Sequence, residues 1–276
     1  MNYKRAVDNI RTELKRYLVK GNLQSLVMGI SGGIDSTLCV LLAKPVCDKL
    51  NIPLIGRSLP TSTNAKGENS RAKNIGEAFC SQFEEVDIQP GFHAFSSMIA
   101  SSSGKYAVGM EDTKENILDG NIKARIRMIL LYDLAGSTDG LVLSTDNLSE
   151  YLLGFWTLHG DVGDYGMIQN LWKTEVYEMA EWIVENELTV LEEKMMVGDV
   201  IDADATDGLG ISKTDLDQIL PDWEGSSRDG YAQVDLILQQ IQEGRINFEN
   251  PVAARHVRTH FKRMNPYNIS RNEIIK

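Results

Sequence analysis

Basic charge, cysteine and long apolar runs are what this chain is short of, and each shortage removes a class of function. Its 28 lysines and arginines stand against 39 aspartates and glutamates, for a net charge of −11. Proteins that hold long nucleic acids draw most of their affinity from lysine and arginine on phosphates, so no nucleic-acid partner is expected. The three cysteines, Cys39, Cys47 and Cys80, form neither a C-x-x-C pair nor a ligand cluster. Disulfide and zinc frameworks are therefore excluded, and the thiols read as small core residues in a reducing cytoplasm. No stretch approaches the roughly 18 apolar residues of a membrane span. Met1 to Arg5 opens a polar segment without the apolar core of a secretion signal. The expectation is a cytoplasmic protein with no membrane partner.

A hydrophobic content of 42% over 276 residues is enough to fill one large core, and no internal repeat divides it. Val7, Ile10, Leu14, Tyr17 and Leu18 share one face of an N-terminal helix that stops before Gly21. Strands are expected at 26–30, 52–58, 85–88 and 141–145, and helices at 37–50, 68–83, 121–135, 173–186, 212–220 and 229–243. A last helix opens at Asn250-Pro251, in the Asn-cap, Pro-first arrangement, and runs through His260. Loops are expected at 60–67, 101–104, 136–140 and 160–164. Another, acidic and mobile, is expected at 202–208; it misses the calcium-loop register because its glycine comes one place late and the twelfth position is Lys213. Strands alternating with helices predict an α/β fold: a doubly wound parallel sheet with helices on both faces, a helical C-terminal portion, and one domain over 1–276.

The stretch that organises the rest is Ser31-Gly32-Gly33-Ile34-Asp35-Ser36, set between the first strand and the helix that follows. Paired glycines let backbone approach a ligand closely, and the first turn of the next helix offers unpaired N–H groups at the positive end of its dipole. That combination suits phosphate. Neither Gly-Lys-Ser/Thr nor G-x-G-x-x-G is present, and a carboxylate stands in the turn instead. Asp35 beside a phosphate would be repulsive without a cation between them, which implies Mg²⁺. A second carboxylate, Glu150, follows the strand that ends at Thr145, where it can aim back at Asp35. Lys123, Arg125 and Arg127 interleave with the apolar stripe of the 121–135 helix and read, on position alone, as its solvated face.

Ser-Gly-Gly-x-Asp-Ser after a strand resembles the pyrophosphate loop of the N-type ATP pyrophosphatases, which have the adenine nucleotide α-hydrolase-like fold. Further stretches narrow the resemblance: 120–128, Ser144-Thr-Asp-Asn-Leu-Ser-Glu150, Gly154-Phe155, Gly160-Asp161, 209–217 and Phe261-Lys-Arg263. In this order they look like the ammonia-dependent NAD synthetases over nearly the whole chain. The resemblance implies that Gly29, Ser31, Gly32, Gly33, Ser36 and Thr145 bind ATP and that Asp35 and Glu150 hold Mg²⁺. It implies that Lys173 contacts ATP phosphate and that Arg125, Asp164 and Lys262 face deamido-NAD. Asp161 matches a loop aspartate near the reacting carboxyl, where it would orient ammonia or take its proton. The implied reaction is adenylation of the nicotinate carboxylate, then displacement of AMP by ammonia, with Asp35, Lys173 and Asp161 as the catalytic groups of a homodimer. Asn147 and Ser149 stand where the family usually has histidine and alanine, Leu158 where it has lysine, and Phe261 where it has histidine. Two alternatives remain: a divergent ligase acting on another carboxylate, or a nucleotide-binding module that has lost catalysis.

Overall fold

The computed structural model describes residues 1–103, 112–206, 212, 214–245 and 247–275. Its elements follow in the order α1 (Tyr3–Gly21), β1 (Leu26–Gly29), α2 (Ile34–Leu50), β2 (Leu54–Ser58), α3 (Lys66–Phe79), β3 (Gln82–Glu85), α4 (Gln89–Ser103) and α5 (Asp112–Ser137). Then come β4 (Leu141–Ser144), α6 (Leu148–Leu153), β5 (Tyr165–Gly166), α7 (Lys173–Asn186) and α8 (Leu191–Ile201). A 3₁₀ turn (Leu216–Gln218) precedes α9 (Ser227–Gln242), α10 (Pro251–Arg258), α11 (His260–Arg263) and α12 (Arg271–Ile274).

The five strands are parallel, in the order β3-β2-β1-β4-β5. Chain connections leave β1 in one direction toward β2 and β3 and later return to its other side as β4 and β5. The carboxyl ends of β1 and β4 therefore flank the crevice where such sheets bind ligands. Alternation along each strand builds both layers. Leu26, Met28, Leu54, Leu141 and Leu143 enter a core shared with α1, α2, α3, α7 and α8. Val27, Ile55 and Val142 point the other way, into a core with α4 and α5. The C-terminal helices form a third cluster, in which Tyr231, Val234 and Leu238 pack on Leu152, Leu153 and Val252. None of the described helices is long and apolar enough to cross a membrane.

Helix α2 lies between the sheet and other helices, so it is apolar nearly all round. Pro45 inside it has no N–H to give to Leu41 O four residues back. Arg11 of α1 fills the gap, donating from Nη2 to that carbonyl at 3.1 Å while pairing with Glu187.

Several boundaries differ from the sequence expectation. Helix α3 stops at Phe79, and the third strand is 82–85 rather than 85–88. An edge strand needs few buried side chains, and here Phe83 lies flat on Gly76, whose missing side chain makes the room. Ser101 to Ser103 end α4 instead of starting a loop, and Gly104 lies outside the described residues. Helix α5 is longer than 121–135 at both ends. The expected 212–220 helix is, in the described part, a single 3₁₀ turn that buries Leu216 and Ile219 three residues apart. Pro221 also biases the preceding residue away from helix. The two-residue strand β5 and helix α8 were not expected. The expected 202–208 loop is non-helical over 202–206, and its last two residues lie outside the described set.

Candidate active site

Gly32 adopts φ +78°, and a Cβ there would lie 2.4 Å from Glu68 O and 2.8 Å from Ala72 N. Only glycine lets the loop nest against α3 in this conformation. Arg71 Nε donates to Gly32 O at 3.0 Å from the same helix. The loop's own hydroxyls set its remaining shape: Ser31 Oγ accepts from Gly33 N at 3.2 Å, and Ser36 Oγ and Thr37 Oγ1 donate to Gly33 O at 3.1 and 2.9 Å. Gly33 is the N-cap of α2 and no side chain caps it, so the first-turn N–H groups keep their capacity for an anion.

Asp35 sits in that first turn. Across the β1/β4 crevice, Asn147 caps α6: its Oδ1 accepts from Glu150 N at 3.0 Å, and Glu150 Oε2 accepts from Asn147 N at 3.3 Å. Asn147 Nδ2 also donates to Asp35 Oδ1 at 2.8 Å, tying the two motifs together. Lys173 begins α7, and its Nζ donates to Asp35 Oδ2 and, at 3.0 Å, to Glu150 Oε1, beneath the Tyr231 ring at 5.1 Å. Only 2% of Lys173 is exposed. Burial opposes its charge, but Asp35 and Glu150 outweigh burial and hold the ammonium protonated well above its ordinary range. Burial and then the Asp35 charge raise the Glu150 carboxyl, with Lys173 opposing both. The carboxylate pair and the lysine thus form one electrostatic unit.

This unit lies on the wall of an open cleft, together with Gly29, Ser31, Gly33, Thr145 and Asp161. Arg57, Arg71 and Arg127 line it as well. The expectation that the α5 cations form a solvated face therefore holds only for Arg125. Lys123 is 5% exposed and lies 5.2 Å from the Phe92 ring centroid, and Arg127 Nε donates to Leu59 O at 3.0 Å. The spacing carried that signal: Lys123 and Arg127, four apart, share a helix face that Arg125 does not.

A second cleft meets the first at Met128 and includes Arg125, Tyr132, Asp146, Leu158 and Lys262. Its cations are held by main chain. Arg125 Nη2 donates to Leu158 O at 3.0 Å, Lys262 Nζ to Gly154 O at 2.7 Å and to Trp156 O, and Arg263 Nη1 to Leu152 O at 2.6 Å. Asp164 lines neither cleft. It accepts from Val142 N at 3.1 Å and from Tyr132 OH at 3.0 Å, serving the margin of β4 just before β5 begins. Asp161 accepts from Thr157 N at 2.8 Å, and burial raises its carboxyl despite that bond. Sequence reasoning missed Asp146, which burial and then Asp161 push up to about 7 against the 2.7 Å bond from Ser144 Oγ. Its signal was its place, two residues beyond the end of β4.

The site combines amides for phosphate, a carboxylate pair bridged by an ammonium, and a second cleft adjoining the first. Among the described residues no group of three or more histidine, cysteine, aspartate and glutamate side chains could hold a metal by itself. Asp35 and Glu150 already share one cation, the Lys173 ammonium, and their oxygen donors suit Mg²⁺ if a phosphate and water complete the shell.

Comparison with known proteins agrees with this arrangement. Over 221 residues the chain is 34% identical to the NH₃-dependent NAD⁺ synthetase of Thermococcus kodakarensis, covering 80% of this chain and 81% of that protein. Its fold is similar to an NMN synthetase from Francisella tularensis, with a TM-score of 0.76 at 24% identity over 99% of both chains. It is also similar to an NH₃-dependent NAD synthetase from Campylobacter jejuni, with a TM-score of 0.70 at 21% identity over 98% of this chain and 100% of that one. The profile of the NAD synthase family matches residues 6–266, and the chain belongs to that family.

Proposed function

We propose that this chain makes NAD from deamido-NAD, ATP and ammonia, releasing AMP and pyrophosphate, as a single synthetase domain in the cytoplasm. The observation that carries the reading is the Asp35–Lys173–Glu150 unit across the β1/β4 crevice, beside an uncapped helix N-terminus. ATP would lie in the first cleft with its phosphates on the Ser31–Ser36 loop and Thr145, and the nicotinate end of the dinucleotide would enter from the second. The carboxylate oxygen attacks the α-phosphorus, and the bond to the bridging oxygen of pyrophosphate breaks. The loop amides and Lys173 stabilise charge growing on the departing pyrophosphate. Mg²⁺ held by Asp35 and Glu150 would neutralise phosphate charge there. Ammonia then adds to the acyl carbon and AMP leaves, with Asp161 placed to orient ammonia or accept a proton. Arg125 and Lys262 would serve the dinucleotide directly, and Asp164, which lines neither cleft, would do so only through the Tyr132 hydroxyl it holds. For Arg125 and Lys262 that means exchanging carbonyl partners for ligand oxygens. A homodimer is supported by Ile129, Leu130 and Tyr132, which α5 exposes beside Arg125.

A second reading replaces the dinucleotide with its mononucleotide half. It is favoured by the second cleft, where Arg125, Lys262 and Arg263 all spend donors on carbonyls and Leu158 is apolar. Such a wall offers little to a second phosphate. Purified protein should be assayed with ATP and Mg²⁺ against deamido-NAD or nicotinate mononucleotide, each with ammonium or glutamine. NAD formed with ammonium at the higher kcat/KM supports the first reading. NMN formed at the higher value replaces it with the second. ATP binding with neither product overturns both readings and leaves a divergent ligase acting on another carboxylate or a nucleotide-binding module.

A further inference from the structure

Lys173 is gripped at both ends by adjacent residues of α6. Glu150 accepts from its ammonium, and Ser149 Oγ accepts from its backbone N–H at 2.9 Å. Ser149 in turn donates to Asp235 Oδ1, while Asp235 Oδ2 accepts from Thr174 N at 2.9 Å. Ser149 and Asp235 are 0% and 2% exposed. The helix α7 lacks a side-chain cap of its own at Trp172. Its first two N–H groups are satisfied instead from α6 and from α9, two elements that are remote in sequence.

We propose that Asp235, acting through Ser149, is a positioning residue for Lys173. A lysine side chain has four rotatable carbons, and its ammonium meets both carboxylates only if its Cα is fixed relative to Glu150. Ser149 supplies that fix because it precedes Glu150 on α6 and holds the Lys173 N–H. The hydroxyl can accept from Lys173 N only with its own proton directed elsewhere, and Asp235 takes that proton. The carboxylate also places negative charge at the positive end of α7, where it favours the helix start. The Tyr231 ring, four residues earlier on α9 and over Lys173 Nζ, shows that this helix reaches Lys173 by two routes, its backbone N–H through Ser149 and its ammonium through the ring. In Asp235→Asn one oxygen remains for Thr174 N, but the amide presents donors to Ser149, leaving the Ser149 proton without its acceptor. The α7 start then shifts, and the ammonium with it.

The inference rests on Lys173 serving adenylyl transfer, and a double-mutant cycle separates the two claims. Pyrophosphate release by the full chain would be measured for Asp235→Asn, Lys173→Met and the double variant, below the thermal transition of each. Asp235→Asn should lower kcat about ten- to a hundredfold, the loss expected from slight misplacement of a catalytic group, with KM for ammonium unmoved. In the Lys173→Met background the same change should cost nothing further, because its effect passes through the lysine. Ser149→Ala, a smaller change, should follow the same pattern and serves if Asp235→Asn does not fold. Losses that multiply in the double variant, or an unchanged kcat in both Asp235→Asn and Ser149→Ala, would overturn the inference while leaving Lys173 in place. Full activity in Lys173→Met would overturn the reading of the site and the inference together.

Discussion

Replacing Lys173 with methionine removes the one cation that Asp35 and Glu150 share, and the structure sets what should follow. Breaking a buried ion pair by deleting one partner costs about 3–5 kcal/mol where the remaining charge stays uncompensated. Part of that cost is avoidable here, because burial already raises the Glu150 carboxyl and loss of Lys173 raises it further. A carboxyl raised in the folded state binds its proton more tightly there than in the unfolded chain. The variant should therefore be most stable at low pH and lose stability as pH rises through the folded value. At a pH above that folded value, where the carboxyl is ionised, a divalent cation can take the vacated position. In the native chain without nucleotide, Mg²⁺ must displace the ammonium; in Lys173→Met it need not. With about 10 mM Mg²⁺ and a Kd near 1 mM, the gain is about 1.4 kcal/mol, roughly 3 °C in Tm for a chain of this size. Thermal denaturation with and without MgCl₂, in the absence of ATP, measures it. Equal Mg²⁺ shifts in the two proteins, or none in the variant, would refute the idea that the carboxylates form a cation site that the lysine fills.

Leu158→Lys should lower KM for deamido-NAD with little change in kcat, the pattern of added uniform binding; an unmoved KM in steady-state kinetics would count against a dinucleotide at that wall. Asp146→Asn removes a carboxyl held up to about 7 from an ordinary 3.8. The native protein loses stability as pH rises between those values, so the variant's relative Tm should climb over that interval and change little below about pH 4. Melts that show a constant difference would mean Asp146 is charged throughout. Light scattering at micromolar protein should give about twice 30.8 kDa if α5 faces a second copy, and the monomer mass would oppose the dimer.

The phosphate loop was legible because its chemistry is local. Two glycines, a carboxylate and a following apolar helix lie within one turn of chain, and strand and helix periodicity placed them. The approach of β4 to β1 was legible from alternation of strands and helices, and with it the meeting of Glu150 and Asp35. What the sequence hid were relations set by long-range packing. Nothing near Asp235 announces that it caps a helix beginning at Lys173, sixty-odd residues earlier. Arg127 looked like a surface cation because the main chain that receives it at Leu59, just past the end of β2, is 68 residues away. Asp164 was expected at the substrate through resemblance, while its bond to Val142 N depends on a two-residue strand too short for any periodicity. The same limit blurred edges: β3 carries one half-buried aromatic, Phe83, and no alternation to mark its start.

The central claim is that the substrate carboxylate is activated as an acyl adenylate in the cleft that Asp35, Glu150 and Lys173 line. Its most direct test labels both oxygens of the nicotinate carboxylate with ¹⁸O and follows the label through one round of amidation with ammonium. If the carboxylate oxygen attacks the α-phosphorus and ammonia displaces AMP at the acyl carbon, mass spectrometry will find one labelled oxygen in AMP and one in the amide, with none in pyrophosphate. Label in pyrophosphate, or AMP without label, would contradict the account.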